Sequence, residues 1–223
     1  SIQLKVKKKK MKILNLFKKE VSPKKEVIDY EADSYWIQKV PLSKINHRLP
    51  YFREICKDKK VIHFGCTDWP VFDASVNLHI ELEKYASVIH GFDIDKEGIA
   101  NLKQYVDQEY FSDFKEIKDT DYDICLVPET IEHVDNVRTF LEGLSTIKAK
   151  KFLITAPNCF APVHMERNLN TDSMFYEVVH EDHNCWYSPF TLKNQIEKYS
   201  KFKVTKVYLI EEERMICCEA EYR

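Results

Sequence analysis

No stretch of the 223-residue chain strings together the roughly 18–20 apolar residues of a membrane span. No basic-then-apolar leader opens it either. The expectation from these two absences is a cytoplasmic protein with no transmembrane segment. There is no C-x-x-C pair. The seven cysteines (Cys56, Cys66, Cys125, Cys159, Cys185, Cys217 and Cys218) are odd in number, which argues against a disulfide frame or a structural zinc site. Cys125 lies inside an apolar run and reads as a buried thiol. Internal repeats are absent, and the only low-complexity segment is the Lys7 to Lys10 run. What remains, 44% hydrophobic and 31% charged residues, is the balance of an ordinary globular protein, long enough for one α/β domain with a full core.

The net charge of -2 conceals an asymmetry. Residues 1–25 hold ten lysines and one acid (Glu20), a charge of +9, so the other 198 residues carry -11. Residues 1–30 therefore read as a basic, flexible tail, and 31–223 as a single domain. The lysine run is of the kind that touches a membrane surface or nucleic acid, and Met11 has the look of a natural start. The acidic body argues against a nucleic-acid polymer as the main ligand, because Lys and Arg neutralising phosphates dominate such affinity.

Along the chain, 30–58 is weakly helical and broken by Pro41 and Pro50. Lys60 to Gly65 is an apolar strand ending in glycine, and Ala74 to Tyr85 admits a helix. Ser87 to Phe92 is a second strand, ending in Asp93-Ile94-Asp95, and Lys96 to Val106 a helix. A weaker strand at Tyr110-Phe111 precedes Asp113. Tyr122 to Val127 is the next strand, Val134 to Ile147 a helix, and Phe152 to Ala156 a fifth strand stopped by Pro157. Asn158 to Tyr187 is long and irregular, which in a compact domain implies a functional loop or short elements. Ser188-Pro189 supplies an N-cap and a proline at the first position of a helix reaching about Tyr199. Lys203 to Ile210 and Arg214 to Glu221 pair as an antiparallel hairpin around Glu211-Glu212-Glu213. Strands alternating with helices specify a doubly wound, mostly parallel α/β sheet, with ligands beyond the carboxyl ends of its strands.

A strand ending in Gly65 offers backbone N–H groups to a ligand, and the acid ending the next strand, Asp93, suits ribose hydroxyls. In this order they resemble the class I S-adenosylmethionine-dependent methyltransferases over roughly residues 40–221. Val61-Ile62-His63-Phe64-Gly65-Cys66-Thr67-Asp68 resembles the family's first motif, and Gly91-Phe92-Asp93-Ile94-Asp95 its second-strand acidic motif. Ser112-Asp113 sits where the family places an adenine-contacting acid, and Asp123 to Leu126 resembles its fourth-strand motif. The resemblance implies a Rossmann-like, seven-stranded sheet with an antiparallel final strand. It places S-adenosylmethionine against His63, Gly65, Cys66, Thr67, Asp68, Asp93, Ile94, Asp113 and Pro128. Thr67 and Trp69 stand where the family has its second and third glycines, so the turn must take a different path. His63 stands where the family has an acid, and equally suits a hydrogen-bonded histidine at a strand end.

Glu129-Thr130-Ile131-Glu132-His133 spaces two carboxylates and an imidazole at i, i+3 and i+4, one face of a helix if the chain turns helical there. It resembles the E-x-x-E-H element of the metal-dependent small-RNA 2′-O-methyltransferases and ubiquinone-pathway O-methyltransferases. Asp182-His183-Asn184-Cys185-Trp186 is one residue shorter than the D-H-x-x-x-W segment that supplies a fourth ligand in the RNA branch. The resemblance nominates Glu129, Glu132, His133 and His183 as a metal set, with His164 and His180 competing for the fourth place. Mixed oxygen and nitrogen ligation suits magnesium, manganese or ferrous iron, and admits zinc. Without a metal, the carboxylates are a dipole-stabilised helix start and His133 or His183 is the general base. His133, His183 and Glu132 are thus the expected catalytic residues. Tyr176, Trp186 and Tyr187 line an acceptor pocket or simply pack.

The reading is an S-adenosylmethionine-dependent O-methyltransferase acting on a hydroxyl of a sugar, glycan or other small polar acceptor. Two alternatives stay open: a catalytically silent methyltransferase-fold interaction module, and a nucleotide-sugar-modifying enzyme. No oligomeric state is assigned.

Overall fold

In a computed structural model, residues 29–31, 35–118, 121–166 and 169–223 are described. The fold is that of residues 39–223. The expected basic tail, apart from residues 29 and 30, lies outside the described residues.

The elements are β1 (Ser43–Ile45), α1 (Arg48–Cys56), β2 (Lys60–Phe64), α2 (Leu78–Glu83), β3 (Val88–Phe92), α3 (Lys96–Leu102) and β4 (Tyr110–Phe111). They continue with β5 (Tyr122–Val127), α4 (Val137–Leu144), β6 (Ala149–Pro157), α5 (Pro162–Met165), β7 (Leu169–Thr171) and β8 (Met174–Tyr176). The chain ends with α6 (Pro189–Tyr199), β9 (Phe202–Ile210) and β10 (Met215–Tyr222). Eight strands form one sheet in the order β1-β9-β10-β6-β5-β2-β3-β4, all parallel except β10. This is the expected doubly wound sheet with its antiparallel last strand, extended by β1 at one edge. The chain winds outward through β2, β3 and β4, then returns to β5 beside β2. That reversal opens a crevice at the carboxyl ends of β2 and β5, where such sheets bind ligands.

Both faces of the central strands are covered, which is why their sequences are continuous apolar runs. Alternation sends Ile62, Phe64, Cys125 and Phe152 to a core closed by Phe140, Leu141 and Leu144 of α4 and by Leu192 and Ile196 of α6. Val61, Ile89, Leu126 and Leu153 face the other way, against Phe52 and Cys56 of α1 and Leu82 of α2. Helix starts follow their caps. Ser188 accepts a hydrogen bond from Thr191 N with Pro189 behind it, so α6 begins where the sequence places it. The helices α2 and α4 are shorter than their periodicity implies, because Asn77 and Asn136 cap them at Ile80 N and Thr139 N. The irregular 158–187 region contains α5 and a hairpin of β7 and β8. All seven cysteines are free, and no helix of the described residues is long and apolar enough to cross a membrane.

His63 does not face the crevice. It is buried against His79, with the two Nδ1 atoms 3.2 Å apart and the rings stacked. Neither Nε2 has a hydrogen-bond partner. Burial depresses both imidazoles, His79 to about 3 and His63 well below the ordinary histidine range, so both are neutral in the folded protein. The unfolded chain takes up protons near pH 6.5 that the folded one refuses. Stability is therefore fully present above that pH and falls below it, by about 1.4 kcal/mol per histidine per pH unit. Urea denaturation between pH 5 and 7.5 should show this slope, and His79→Asn should reduce it by about one proton's worth. An unchanged slope in the variant would show that the pair is not held neutral.

Candidate active site

One wall of the crevice begins at Gly65, the residue after β2. Its φ is +64°, and an added Cβ would lie 2.7 Å from Thr130 Oγ1. Left-handed conformation and lack of space both require glycine here. The next positive φ falls on Asp68, at 52°, so the turn does take a path that needs no glycine at Thr67 or Trp69. Thr67 is buried and turned toward the neighbouring strand, where its N–H and hydroxyl donate to Asp93 Oδ2 at 3.1 and 2.8 Å. A Cβ on Gly98 would come within 2.8 Å of both Thr67 and Trp69, so glycine in α3 accommodates the bulk that the loop has gained. Asn77 fastens the turn, its Nδ2 donating to Cys66 O and to Asp68 Oδ2. Burial raises the Asp68 carboxyl above its ordinary range, and that bond from Asn77 opposes the shift. Cys66 is buried.

Asp93 ends β3, and its Oδ1 accepts from Asp95 N at 3.0 Å. Three protein donors thus occupy a carboxylate with about four acceptor sites. Beside it Ile94 is exposed, an apolar surface at the rim of the crevice. Asp113, beyond β4, is also exposed and caps the short 3-10 turn Phe114–Glu116 through Lys115 N. Pro128, after β5, turns its carbonyl to the Thr130 hydroxyl at 2.9 Å. Gly65, Thr67, Asp93, Ile94, Asp113 and Pro128 therefore lie along successive strand ends, as the sequence led one to expect, and His63 stands apart.

Past Pro128 the chain makes a single turn, not a helix. Glu129 has φ 44°, which a right-handed helix cannot include, and only His133 N reaches back, to Thr130 O. The turn splits the expected face. Glu129 swings out to pair with the Arg48 guanidinium. Glu132 points inward, fully buried, with neither carboxylate oxygen hydrogen-bonded.

His183 is brought to Glu132 and His133 by its neighbour Asn184. The N–H of Asn184 donates to Glu132 O at 2.8 Å and its side-chain amide to His133 O at 3.0 Å. One potential ligand atom from each of Glu132, His133 and His183 lies within 4.8 Å of the others, and His133, His180 and Asp182 form a second such group. The rings of His133 and His183 are 4.5 Å apart. Burial lowers both imidazoles, with neighbouring histidines adding to the effect, and burial pushes the Glu132 carboxyl up to about 8.

An orphaned carboxylate beside two neutral imidazoles is a donor set that fits a divalent cation of mixed oxygen and nitrogen preference. It equally fits a protonated acid beside two potential bases. Trp186 lies tilted against His164 and edge-on to His183 and donates to Glu177 Oε1, whereas Tyr187 is core and Tyr176 is exposed on the β7–β8 hairpin. Sequence reasoning missed Arg48, Asn77 and Asn184. Asn184 lies inside the quoted Asp182 to Trp186 segment, but nothing in the spacing marks it as the residue that docks the loop.

No family model and no curated protein matches the sequence. Solved structures do. An S-adenosylmethionine-dependent methyltransferase from Mesorhizobium loti has a TM-score of 0.52 at 11% identity, covering 78% of this chain and 95% of its own. A Listeria monocytogenes protein assigned to the same class gives 0.54 at 12% identity, over 79% and 96%. A chain of the Pnkp1/Rnl/Hen1 RNA repair complex gives 0.53 at 16%, over 78% of this chain and 40% of that one. The fold is that of the S-adenosylmethionine-dependent methyltransferases.

A buried carboxylate without a partner is a net cost, and replacing it by an apolar group of similar shape removes that cost. In EDTA, Glu132→Met should stabilise the protein by about 1–3 kcal/mol against urea. A loss of stability would mean that the carboxylate has a partner in solution.

Proposed function

We propose that the protein is an S-adenosylmethionine-dependent O-methyltransferase acting on a hydroxyl of a sugar or other small polar acceptor. The observation that carries this reading is the orphaned Glu132 carboxylate with His133 and His183, on the turn after β5 that packs against the Gly65 turn. On the cofactor side, the remaining acceptor capacity of Asp93 suits a ribose hydroxyl. Ile94 supplies an apolar face for the adenine, and the exposed Asp113 an acceptor for its amino group. The Pro128 turn closes the crevice toward the acceptor.

An alcohol is too weak an acid to be ionised by a side chain alone. Glu132, His133 and His183 would hold a divalent cation, which when bound lowers the pKa of a coordinated hydroxyl. Without the cation, His133 or His183, whose imidazoles burial keeps below the ordinary histidine range, would take the proton instead, and such general-base help is worth roughly 10²–10⁴-fold. Glu129, paired with Arg48, is left out of this set. The chain of an RNA repair complex among the structural neighbours raises RNA as an acceptor. The charge of -11 on residues 26–223 speaks against it.

One observation favours a second reading, a silent methyltransferase-fold module: Thr67 and Asp95 already take three of the Asp93 acceptor sites. Calorimetry with S-adenosylhomocysteine separates the two. Saturable binding in the micromolar range is expected, and no binding up to millimolar ligand would favour the silent module. Glu132→Ala and His133→Ala should abolish transfer of labelled methyl groups into a small-molecule extract while leaving S-adenosylhomocysteine affinity within about twofold, since neither is placed on the cofactor wall. Manganese should raise the melting temperature of the native chain but not of Glu132→Ala. EDTA-treated protein that keeps full activity would assign the chemistry to the histidine base alone.

A further inference from the structure

Beside the crevice, at the carboxyl ends of β6 and β9, lies a second pocket of about 270 Å³ lined by Arg48, Glu129, Pro157, His164, Glu211, Arg214 and Met215. It shares Glu129 with the turn that carries Glu132 and His133. Its size is near the lower end of small-molecule sites, roughly 300 Å³ and upward, which suits a single small ring rather than a polymer.

The lining is unusual for this chain. Only six of its 34 basic residues are arginine, yet two of those six line this pocket and no lysine does. Arginine is the residue suited to two-point recognition of carboxylate and phosphate. Among the described residues, Arg48 is engaged through Nη1, by Glu129 and by the Met215 sulfur, and Arg214 through Nη2, by Glu212 at 3.4 Å. Each guanidinium keeps further N–H donors. His164 is fixed by Nδ1, which donates to Asn158 O at 2.8 Å, so its Nε2 is left as an acceptor.

The wall that carries Arg214 is also strained. Glu211, Glu212 and Glu213 are three successive non-glycine residues with positive φ (51°, 54° and 67°), where left-handed backbone costs roughly 1–2 kcal/mol per residue. Tertiary contacts hold the turn in that shape. Glu211 caps Arg48 N at 2.9 Å, Glu212 N donates to Asn46 O, Glu213 pairs with Lys44, and Asn158 Nδ2 reaches Glu213 O. Strain maintained in this way clusters at binding and catalytic sites.

We propose that this pocket is the acceptor subsite and that the acceptor is a compact hydroxylated anion, a sugar-sized molecule bearing a carboxylate or phosphate. Arg214 and the open edge of Arg48 bind the anion, and His164 Nε2 accepts a hydrogen bond from a hydroxyl. This rests on the methyltransferase reading, and the test separates the two. Calorimetry would be run on the full chain with S-adenosylhomocysteine, then with D-glucose, D-glucuronate and glucose 6-phosphate in its presence. The two charged sugars should bind saturably and at least about tenfold more tightly than glucose, as a charge-assisted contact provides. The stronger of the two identifies the anion. Arg214→Gln, at a half-exposed side chain, should abolish that preference and leave S-adenosylhomocysteine binding unchanged. Glucose binding as tightly as the charged sugars, no saturable binding of either charged sugar up to tens of millimolar, or an Arg214→Gln chain that keeps the preference would each overturn the proposal. Charged sugars that bind while S-adenosylhomocysteine does not would uphold the anion subsite and remove the methyltransferase reading.

Discussion

The constraint on which the site depends is the meeting of Gly65 and Thr130 at the reversal point of the sheet. A single methyl group on Gly65 would collide with the Thr130 hydroxyl. That hydroxyl is itself committed to the Pro128 carbonyl. The turn after β2 and the turn after β5 are therefore fixed against each other with only the Thr130 side chain between them. Thr67, on the first turn, reaches Asp93 at the end of β3, and Glu132 and His133 ride on the second. The left-handed backbone at Gly65, Asp68 and Glu129 lets both turns leave their strands sharply enough to face each other.

Around that contact the protein tolerates polar groups that a purely structural core would exclude. Glu132 is buried with its carboxylate unpaired, and His183 Nδ1 is similarly buried without a partner. By contrast, Glu129 is satisfied by Arg48 and Asp68 by Asn77. The difference divides the acids into those with a partner and one without. Unpaired buried polar groups are rare in native proteins and ask for an explanation. Proximity to two neutral imidazoles at a strand end supplies one.

Much of the fold was legible because the information is local. The strands at Lys60, Val88, Tyr122 and Ala149 are continuous apolar runs, as parallel strands covered on both faces must be. Ser188-Pro189 marks the start of α6 by the stereochemistry of its own backbone. The helix α2 was harder to delimit, since its apolar residues alternate and only the Asn77 cap settles its start. The four-residue helix α5 and the three-residue strands β7 and β8 are too short to leave a periodic signal. At the site, Gly65, Asp93, Glu132 and His133 could be nominated because each follows a recognisable strand.

By itself, the sequence determined the alternation of the central strands with their helices, the doubly wound class of sheet and the strand ends where polar residues gather, because apolar periodicity and caps act over a few residues. Only the tertiary structure decided which of those residues meet. It sent His63 into the core against His79, diverted Glu129 to Arg48, and used Asn184 to bring His183 across some 50 residues of chain to Glu132. Spacings of i, i+3 and i+4 describe a helix, and the left-handed backbone at Glu129 prevents one there. Partners distant in sequence are chosen by packing and by unsatisfied hydrogen bonds, and neither can be read before the chain has folded.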